Sequence, residues 1–244
     1  MKESKIDTIR FGFKVGKTDG EIFREISPKE IKCLCDDYKL IIARVNLDDI
    51  DLINKLEDIG FRIKDTQITY QHNLDNLNNK VIFNTSVTIR DFKKSDIPIL
   101  VQIAKDSFNN YGHYFKNNKL DKEKCLEVYE NWAYNTCTKK EVADKIIVAC
   151  IDDKPVGYLS FKIYDDGFGK RYAAGGMGAV DSKQRGNNIF TKLLMSGLDW
   201  SFNNKLDWCE HNVIVSNFSV NRSMNKSGFK PTNPMVTMHL TKIT

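Results

Sequence analysis

The chain has 244 residues, of which 41% are hydrophobic, and this supplies a sizeable core for one large domain or two small ones. The formal net charge of +5 comes from lysines interleaved among acids, which does not make the basic stripe of a nucleic-acid-binding protein but suits a polyanionic small molecule. No segment approaches ~20 consecutive apolar residues, and the first residues lack a secretory signal, so we expect a cytoplasmic protein without a membrane partner.

The first third of the chain predicts a strand, a helix and a second strand. "KLIIARVN" (39–46) is an apolar run typical of a strand, "DIDLINKLEDIGF" (49–61) has the helical period, and "RIKDTQITYQ" (62–71) alternates like a strand. Gly60 fits a helix stop, where a left-handed residue satisfies the last carbonyl groups.

The polar segment "HNLDNLNNK" (72–80) indicates a domain boundary, because it separates two regions that each alternate strands with helices. We therefore expect one domain over 1–80 and a second over 86–244. The six cysteines contain no CxxC pair, so we interpret them as free thiols and expect no metal site.

The second region predicts two helices, then an antiparallel meander that leads into a third helix. The first helix is "SDIPILVQIAKDSF" (95–108), with Ser95 as its cap. The other predicted elements are a helix over 121–137, two strands within 145–164 that turn at "DDKP", a strand over 172–180, and a helix from Ile189 to Asn203 with Phe190, Leu193, Leu194, Leu198 and Phe202 on one face. This order predicts a mixed α/β sheet of the α+β type.

The C-terminal segments "HNVIVSN" (211–217), "FSVNRSMNKSGF" (218–229) and "PMVTMHLTK" (234–242) repeat the order strand, helix, Gly-Phe, strand. This indicates a weak internal duplication, although two unrelated αβ units can look equally alike.

The turn "KQRGNNIFTKLL" (183–194) opens the predicted helix at Ile189. The first turn of a helix leaves backbone N–H groups unpaired, and these donors, together with the helix dipole, favour an anion such as a pyrophosphate. The alternative is an ordinary strand-to-helix turn that contains a glycine.

The stretch "AVDSKQRGNNIFTKLL", together with the strand before it and the "KSGF" helix end after it, resembles the GCN5-related N-acetyltransferase (GNAT) family over about 88–242. The family pattern V-x-P-x-x-R-G-x-G-x-G/A is matched by Val180, Arg185 and Gly186. Ser182 replaces its proline, Asn188 its central glycine and Phe190 its last small residue.

The resemblance implies a GNAT fold that binds acetyl-CoA. The backbone at Ala179 and Val180 would pair with the pantetheine arm, with Asn217 and Met224 nearby. The pyrophosphate would be held by the N–H groups of Arg185, Gly186, Asn187, Asn188, Ile189 and Phe190. Asn188 tolerates a left-handed conformation, whereas Phe190 must point into the core to leave room for the phosphates.

The N-terminal region looks like the half-size, GNAT-like leading domain of bacterial nucleotide-sugar N-acetyltransferases of the TDP-fucosamine type. That resemblance implies an enzyme that acetylates a nucleotide-linked amino-dideoxy sugar for cell-surface polysaccharide biosynthesis, and it is compatible with a homodimer. It suggests as substrate-binding residues Phe108, His113, Tyr114 and Trp132. Core packing or surface stacking remains the alternative for His113 and Trp132.

The predicted strand "YAAGGMGAV" (172–180) contains no carboxylate, so a direct general base is missing there. A water relayed to Asp106 or His113 could serve instead, and we treat these two residues as catalytic candidates. In the family the oxyanion donor is a backbone N–H near Ala179 or Val180. Met224 stands where many relatives have a tyrosine that protonates the leaving thiolate.

Two alternatives remain open. One is a GNAT enzyme that acetylates a peptide, a polyamine or another small amine, and the other is a catalytically silent acyl-CoA-binding module.

Overall fold

The computed structural model describes residues 1–75 and 86–243, which form two compact units. Unit 1 comprises Met1–Ile68, Asn110–Val128 and Asn233–Thr244, and unit 2 comprises Thr69–Asn109 and Tyr129–Thr232. Residues 76–80 of the expected domain boundary lie outside the described residues, so the division at 80/86 stays a prediction.

The strands are β1 (Lys2–Glu3), β2 (Val15–Thr18), β3 (Leu40–Asn46), β4 (Arg62–Asn73), β5 (Thr88–Asp91), β6 (Lys145–Ile151), β7 (Lys154–Asp165), β8 (Arg171–Val180), β9 (Trp208–Ile214) and β10 (Lys230–Thr241). The α-helices are α1 (Lys5–Phe11), α2 (Pro28–Leu34), α3 (Ile50–Asp58), α4 (Ile97–Phe108), α5 (Gly112–Phe115), α6 (Lys122–Thr138), α7 (Ile189–Asn203) and α8 (Phe218–Lys226).

Unit 1 is built on the strand order β1-β2-β3-β10, in which β2 runs parallel and β10 antiparallel to β3. Successive side chains of a strand point to opposite faces, so the alternate residues Val236, Met238 and Leu240 of β10 share one face. They pack in a fully apolar core with residues of β3, α2 and α3. The other face of β10 carries Thr237 and His239.

Unit 2 is built on the order β9-β8-β7-β6-β5, antiparallel except for the parallel pair β8–β9. α7 packs closely on this sheet, since a Cβ added at Gly197 would lie 2.1 Å from the Phe161 ring. The mixed sheet predicted from the sequence is therefore confirmed.

The helix α7 has the predicted bounds, but three local predictions are wrong. Ser95 does not cap α4, because a 3₁₀ turn (Lys94–Asp96) precedes that helix and the Asp96 carboxylate accepts the Lys93 N–H at 2.8 Å. Phe202 is exposed, since it lies near the end of α7, and β9 begins at Trp208 rather than at His211.

The segments around α3 and α8 share the same helix start. Each helix has nine residues and follows a side-chain cap, with Asp49 accepting from the Leu52 N–H and Asn217 from the Val220 N–H, both at 3.3 Å. A short acceptor side chain at this position satisfies one of the unpaired N–H groups of the first turn.

The two helices also end alike. Gly60 and Gly228 have φ of 106° and 80°, so each adopts the left-handed conformation that stops a helix. The N–H of the phenylalanine that follows donates a hydrogen bond to a carbonyl of the helix. Phe61 donates to Leu56 at 3.0 Å, and Phe229 donates to Met224 at 3.1 Å. The two strand, helix, Gly-Phe, strand segments expected from the sequence therefore also share the geometry of their helix starts and helix ends.

Candidate functional site

Strand β8 carries a β-bulge in its second half. Leu159 pairs with Gly178 and Phe161 with Gly175, so two steps along β7 oppose three along β8. The Ser160 hydroxyl donates to the Met177 carbonyl at 3.0 Å and fixes this irregularity. A bulge interrupts the regular ladder, and this one lies where β8 is no longer paired with β9.

The β8 glycines leave room for side chains of the protein itself. A Cβ added at Gly175 would lie 1.7 Å from the His211 ring, and one at Gly178 would lie 2.5 Å from Leu159. The Phe190 ring lies 3.3 Å from the same point at Gly178 and is half-buried, so this side chain turns toward the sheet, as the resemblance requires.

The parallel strands β8 and β9 pair only at their beginnings. Their pairing covers Tyr172 to Ala174 against Trp208 to Glu210, whereas β8 continues to Val180 and β9 to Ile214. The second halves of the two strands therefore leave backbone donors and acceptors available to an extended ligand along β8.

The turn after β8 has two left-handed residues, Gly186 with φ of 87° and Asn188 with φ of 55°. The expectation that Asn188 adopts this conformation in place of a glycine is confirmed. A Cβ added at Gly186 would meet no atom within 4 Å, so the backbone of this turn faces open space. A side chain there would occupy the space that a ligand needs.

The N-terminus of α7 is not capped by a side chain, although Asn188 occupies the cap position. The side-chain oxygen of Asn188 instead accepts a hydrogen bond from the Lys226 ammonium at 2.8 Å. The backbone carbonyl of Asn188 accepts the first helical hydrogen bond, from the Lys192 N–H at 3.0 Å. The N–H groups of the first turn and the positive end of the dipole are thus not taken up by a side-chain cap and could bind an anion.

The Arg185 side chain holds the turn against the end of β8. Its Nε donates to the Val180 carbonyl at 3.2 Å, and its terminal nitrogen donates to the Ser107 hydroxyl of α4 at 3.0 Å. Arg185 therefore stabilises the turn through its side chain and would offer a ligand its backbone N–H.

A cavity of about 450 Å³ adjoins the turn. Its lining residues are Ser86, Val87, Ile151, Gln184, Gly186, Asn187 and Asn188. This volume lies within the range typical of small-molecule pockets, and polar groups dominate its wall.

The predicted residues of α8 and the loop before it lie in unit 2. Asn217 caps α8, as described above, and Met224 is 1% exposed. Met224 occupies the position that Leu56 has in α3, where an apolar side chain packs near the phenylalanine after the helix stop. Its burial follows from this role.

The other predicted substrate residues divide between the two units. In unit 2, Phe108 stacks on Tyr129 with ring centroids 5.0 Å apart, and Trp132 is exposed on α6. Asp106 is exposed on α4 and accepts from the Gln102 amide at 2.9 Å. In unit 1, the buried Tyr114 hydroxyl donates to Asp7 at 3.0 Å.

His113, in unit 1, is buried and belongs to a chain of side-chain hydrogen bonds. The Lys119 N–H donates to the Asn117 side-chain oxygen at 3.2 Å, which fixes the amide orientation. The Asn117 nitrogen then donates to His239 Nδ1 at 3.0 Å, so the proton of His239 resides on Nε2 and is donated to His113 Nδ1 at 2.8 Å.

This order of donors gives His113 its proton on Nε2. Burial lowers the pKa of His113 well below its ordinary value, with further contributions from His239, Arg44 and Lys17, and burial lowers the pKa of His239 to about 3. Both rings are therefore neutral at neutral pH, and His113 offers an N–H donor rather than a basic lone pair.

Ser107 and Ser160 had no role in the sequence analysis, and Lys226 entered it only as the first residue of the "KSGF" helix end. Ser107, Ser160 and Lys226 fix the turn and the bulge through hydrogen bonds to residues distant in sequence. A serine or a lysine in a helix or strand gives no local signal of such a contact.

Within residues 1–75 and 86–243, no helix is both long and apolar enough to cross a membrane. The same residues contain no group of three or more histidine, cysteine or acidic side chains arranged to bind a metal ion.

A mixed sheet whose parallel pair separates beside a bulged strand, followed by a helix without a side-chain cap, defines the α/β class of this protein. The chain belongs to the acetyltransferase (GNAT) family, whose profile matches residues 102–229.

Solved structures of GNAT proteins have the same fold. A GCN5-related N-acetyltransferase from Sphaerobacter thermophilus is 15% identical with a TM-score of 0.61, and the match covers 84% of this chain and 60% of that one. A GCN5-related N-acetyltransferase from Kribbella flavida is 13% identical with a TM-score of 0.61, over 88% and 76% of the two chains. A tandem GNAT protein from the clavulanic acid biosynthesis pathway is 16% identical with a TM-score of 0.57, over 87% and 66%.

The chain thus spans less than two thirds of the Sphaerobacter protein and of the tandem protein. The comparison with curated proteins found no significant match.

Proposed function

We propose that this protein is an N-acetyltransferase that uses acetyl-CoA as donor. The observation that carries the proposal is the separation of β8 from β9 directly before the uncapped N-terminus of α7. An extended arm that ends in a pyrophosphate would use both features at once, because the arm pairs with a strand edge and the phosphates pair with helix N–H groups.

The residues present fit such a donor. The backbone of Ala179 and Val180 would bind the pantetheine arm, and the N–H groups from Gly186 to Phe190 would bind the pyrophosphate. The open space above Gly186 is where a Cβ would collide with the phosphates. The cavity beside Asn187 would accept the adjoining part of the cofactor.

The chemistry requires an uncharged amine, a donor for the developing oxyanion and a proton for the departing thiolate. The backbone N–H groups near Ala179 and Val180 are candidates for the oxyanion donor, as are those in the bulge around Met177. Because His113 carries its proton on Nε2 and its Nδ1 accepts from His239, this ring has no free lone pair to act as a general base.

For the acceptor, we propose the amino group of a nucleotide-linked amino-dideoxy sugar in the cytoplasm. The support is the sequence resemblance of the leading region, the aromatic segment around Phe108 and Tyr114, and the positive net charge, which suits a polyanionic substrate. The match to the tandem GNAT protein extends over 87% of this chain, which supports a two-part architecture.

The test is to incubate the purified protein with acetyl-CoA and a panel of TDP- and UDP-linked amino sugars, a polyamine and a lysine-containing peptide, and to measure thiol release. We expect release with one or more of the sugar nucleotides. Release with the polyamine or the peptide alone would replace the acceptor, and tight acetyl-CoA binding without any release would indicate a silent binding module.

A further inference from the structure

Strand β9 in unit 2 has one buried face and one face that meets solvent. The buried residues alternate along the strand and are Cys209, His211 and Val213. Successive side chains of a strand point to opposite faces, so Trp208, Glu210 and Asn212 share the other face. Trp208 and Glu210 are half-buried and Asn212 is exposed. A carboxylate therefore lies on the accessible face of this part of the sheet.

Glu210 lies at the point where β8 and β9 separate. The register of the two strands runs from Tyr172 opposite Trp208 to Ala174 opposite Glu210, and β8 then continues to Val180 beyond this pairing. The Trp208 ring stacks on the Tyr172 ring with centroids 4.6 Å apart, so the two strands present these side chains on the same face. Glu210 is therefore the last paired residue of β9, directly beside the opening between the strands.

Strand β8 leaves the space beside Glu210 open. On the Glu210 face β8 presents Ala174 and then Gly176, because the intervening Gly175 faces the His211 ring on the other side. Gly176 is exposed, and neither of the two residues has a side chain larger than a methyl group. No side chain of β8 on this face therefore stands between the Glu210 carboxylate and the β8 bulge.

The Glu210 carboxylate is held in position but can still accept a proton. Its Oε2 accepts a hydrogen bond from the Trp208 Nε1–H at 3.1 Å. An ionised carboxylate has about four acceptor positions on its two oxygens, so this single bond orients the group without occupying it fully. Burial and then the charge of Glu210 raise the pKa of Tyr172, with smaller contributions from Tyr164 and Asp166. The neighbouring Tyr172 hydroxyl therefore stays protonated at neutral pH and does not compete as a base.

The donor site described above orients its ligand toward Glu210. The pyrophosphate would lie at the turn from Gly186 to Phe190, beyond the C-terminal end of β8. An extended arm along the unpaired edge of β8 would then run back toward Ala174, where β8 and β9 join. Its acyl end would lie nearest to Glu210, and an acceptor could approach from the open face of the sheet.

We propose that Glu210 is the proton acceptor of the transfer reaction, an inference that rests on the proposed function. The carboxylate takes one proton from the ammonium group of the acceptor, directly or through one water, and thereby frees the nitrogen lone pair. As the nitrogen bonds to the thioester carbonyl carbon and the carbon–sulfur bond breaks, the nitrogen passes its second proton to the departing sulfur. Glu210 then returns its own proton to water.

The variant Glu210→Gln tests this role, because glutamine keeps a side-chain oxygen for Trp208 and cannot take the proton. The acceptor is the amine of the panel above that releases most thiol with the wild type. We expect kcat to fall ~10²-fold or more. The KM for acetyl-CoA and the thermal protection by acetyl-CoA should stay within about twofold of the wild type, since donor binding does not use this carboxylate.

The pH dependence of the rate separates a proton acceptor from a group that only holds Trp208. In Glu210→Gln the rate should rise about tenfold per pH unit as the amine loses its proton in solution, and the wild type should rise less steeply over the same range. Glu141→Gln is the matched control, because Glu141 is exposed in the loop after α6, and it should match the wild type.

A second measurement needs neither turnover nor a variant. A water-soluble carbodiimide couples glycine ethyl ester to carboxyl groups that solvent reaches, and peptide mass spectrometry measures the product at Glu210 and at Glu141. A saturating thioether analogue of acetyl-CoA, which cannot transfer its acyl group, should lower labelling of Glu210 roughly threefold or more, because a bound ligand covers the groups beside it. Labelling of Glu141 should not change. Equal labelling of Glu210 with and without the analogue would overturn the placement.

The outcomes for this inference and for the proposed function differ. Thiol release by the wild type together with an unchanged kcat and pH profile in Glu210→Gln would remove the inference and leave the proposed function standing. Absence of thiol release by the wild type with every amine of the panel would remove both.

Discussion

At the scale of single residues, Gly186 is the most direct test of the donor site. Its φ of 87° and the open space around it make it the place where backbone can approach a phosphate. In the wild type, acetyl-CoA at a hundredfold excess over its dissociation constant should stabilise the fold by about 2.7 kcal/mol. We expect Gly186→Val to lose most of this protection in a thermal melt.

Gly169 provides the matched control for that substitution. It has φ of 89° and, like Gly186, no atom within 4 Å of an added Cβ, but it lies in the β7–β8 hairpin. Gly169→Val should therefore show the same backbone strain and keep the protection by acetyl-CoA. Equal protection of Gly186→Val and the wild type would exclude the turn as the donor site.

Met224 tests whether the reaction needs a side-chain acid. The side chain is buried where α3 has Leu56, and methionine has no proton to give. A coenzyme A thiolate leaves readily near neutral pH, because thiol pKa values are ~8.5. Met224→Leu should therefore keep turnover within a few-fold of the wild type, measured by thiol release.

The loss of a true general acid typically costs ~10²-fold or more, so a collapse of that size in Met224→Leu with intact acetyl-CoA binding would contradict this view. Tyr158 would then be the first donor to test. Its hydroxyl is buried without a hydrogen-bond partner among the described residues, and burial raises its pKa.

At the scale of elements, the packing of β8 against β9 depends on the pair Gly175 and His211. A Cβ at position 175 would overlap the His211 ring, which lies between the Phe161 and Phe229 rings. Gly175→Ala should lower the free energy of unfolding by about 1–3 kcal/mol, since overpacking forces the ring from its place.

A double-mutant cycle separates this overlap from the other effects of each change. His211→Ala removes the ring and opens the space, so Gly175→Ala should cost much less in the His211→Ala background. Urea denaturation of the four proteins measures the coupling. Additive costs would mean that the two residues do not compete for the same volume.

Elements differed in how well the sequence predicted them. The bounds of α7 follow from its apolar period, and the ends of α3 and α8 follow from their Gly-Phe stops. α1 and β2 were not predicted, because they are short and have no clear period.

The candidate site was predictable only where its signal was local. The turn at Gly186 and Asn188 and the helix that follows it are contiguous in sequence, so both could be predicted from a single segment. The bond from Lys226 to Asn188 and the chain from Asn117 to His239 join residues far apart along the chain. Nothing in the spacing of either pair indicates that folding brings the two residues together.

At the scale of the whole molecule, three buried histidines predict acid sensitivity. Burial lowers the pKa of His113, and it lowers the pKa of His211 and of His239 to about 3 in each case. In the unfolded chain their pKa is ~6.5, so between the folded and the unfolded pKa the unfolded state binds more protons. Stability is therefore complete above pH ~6.5 and falls as the pH drops through this window.

Each such histidine contributes a slope of up to about 1.4 kcal/mol per pH unit. The measurement is the free energy of unfolding in urea at several pH values between neutral and mildly acidic. His239→Gln should make this dependence shallower, because glutamine does not titrate. The same slope in the variant and the wild type would mean that His239 is protonated alike in both states.

The pairing of β3 with β10 has a consequence for the order in which the protein folds during synthesis. β3 ends at Asn46, and its antiparallel partner β10 does not begin until Lys230. The ribosome therefore releases the intervening segments, including all of α7, before the sheet of unit 1 can close. Until then the β3 residues Ile41, Ala43 and Val45 lack the β10 residues that pack with them in the folded core, Val236, Met238 and Leu240. Until β10 is synthesised, the nascent chain thus presents an unpaired apolar strand edge, which a chaperone could bind.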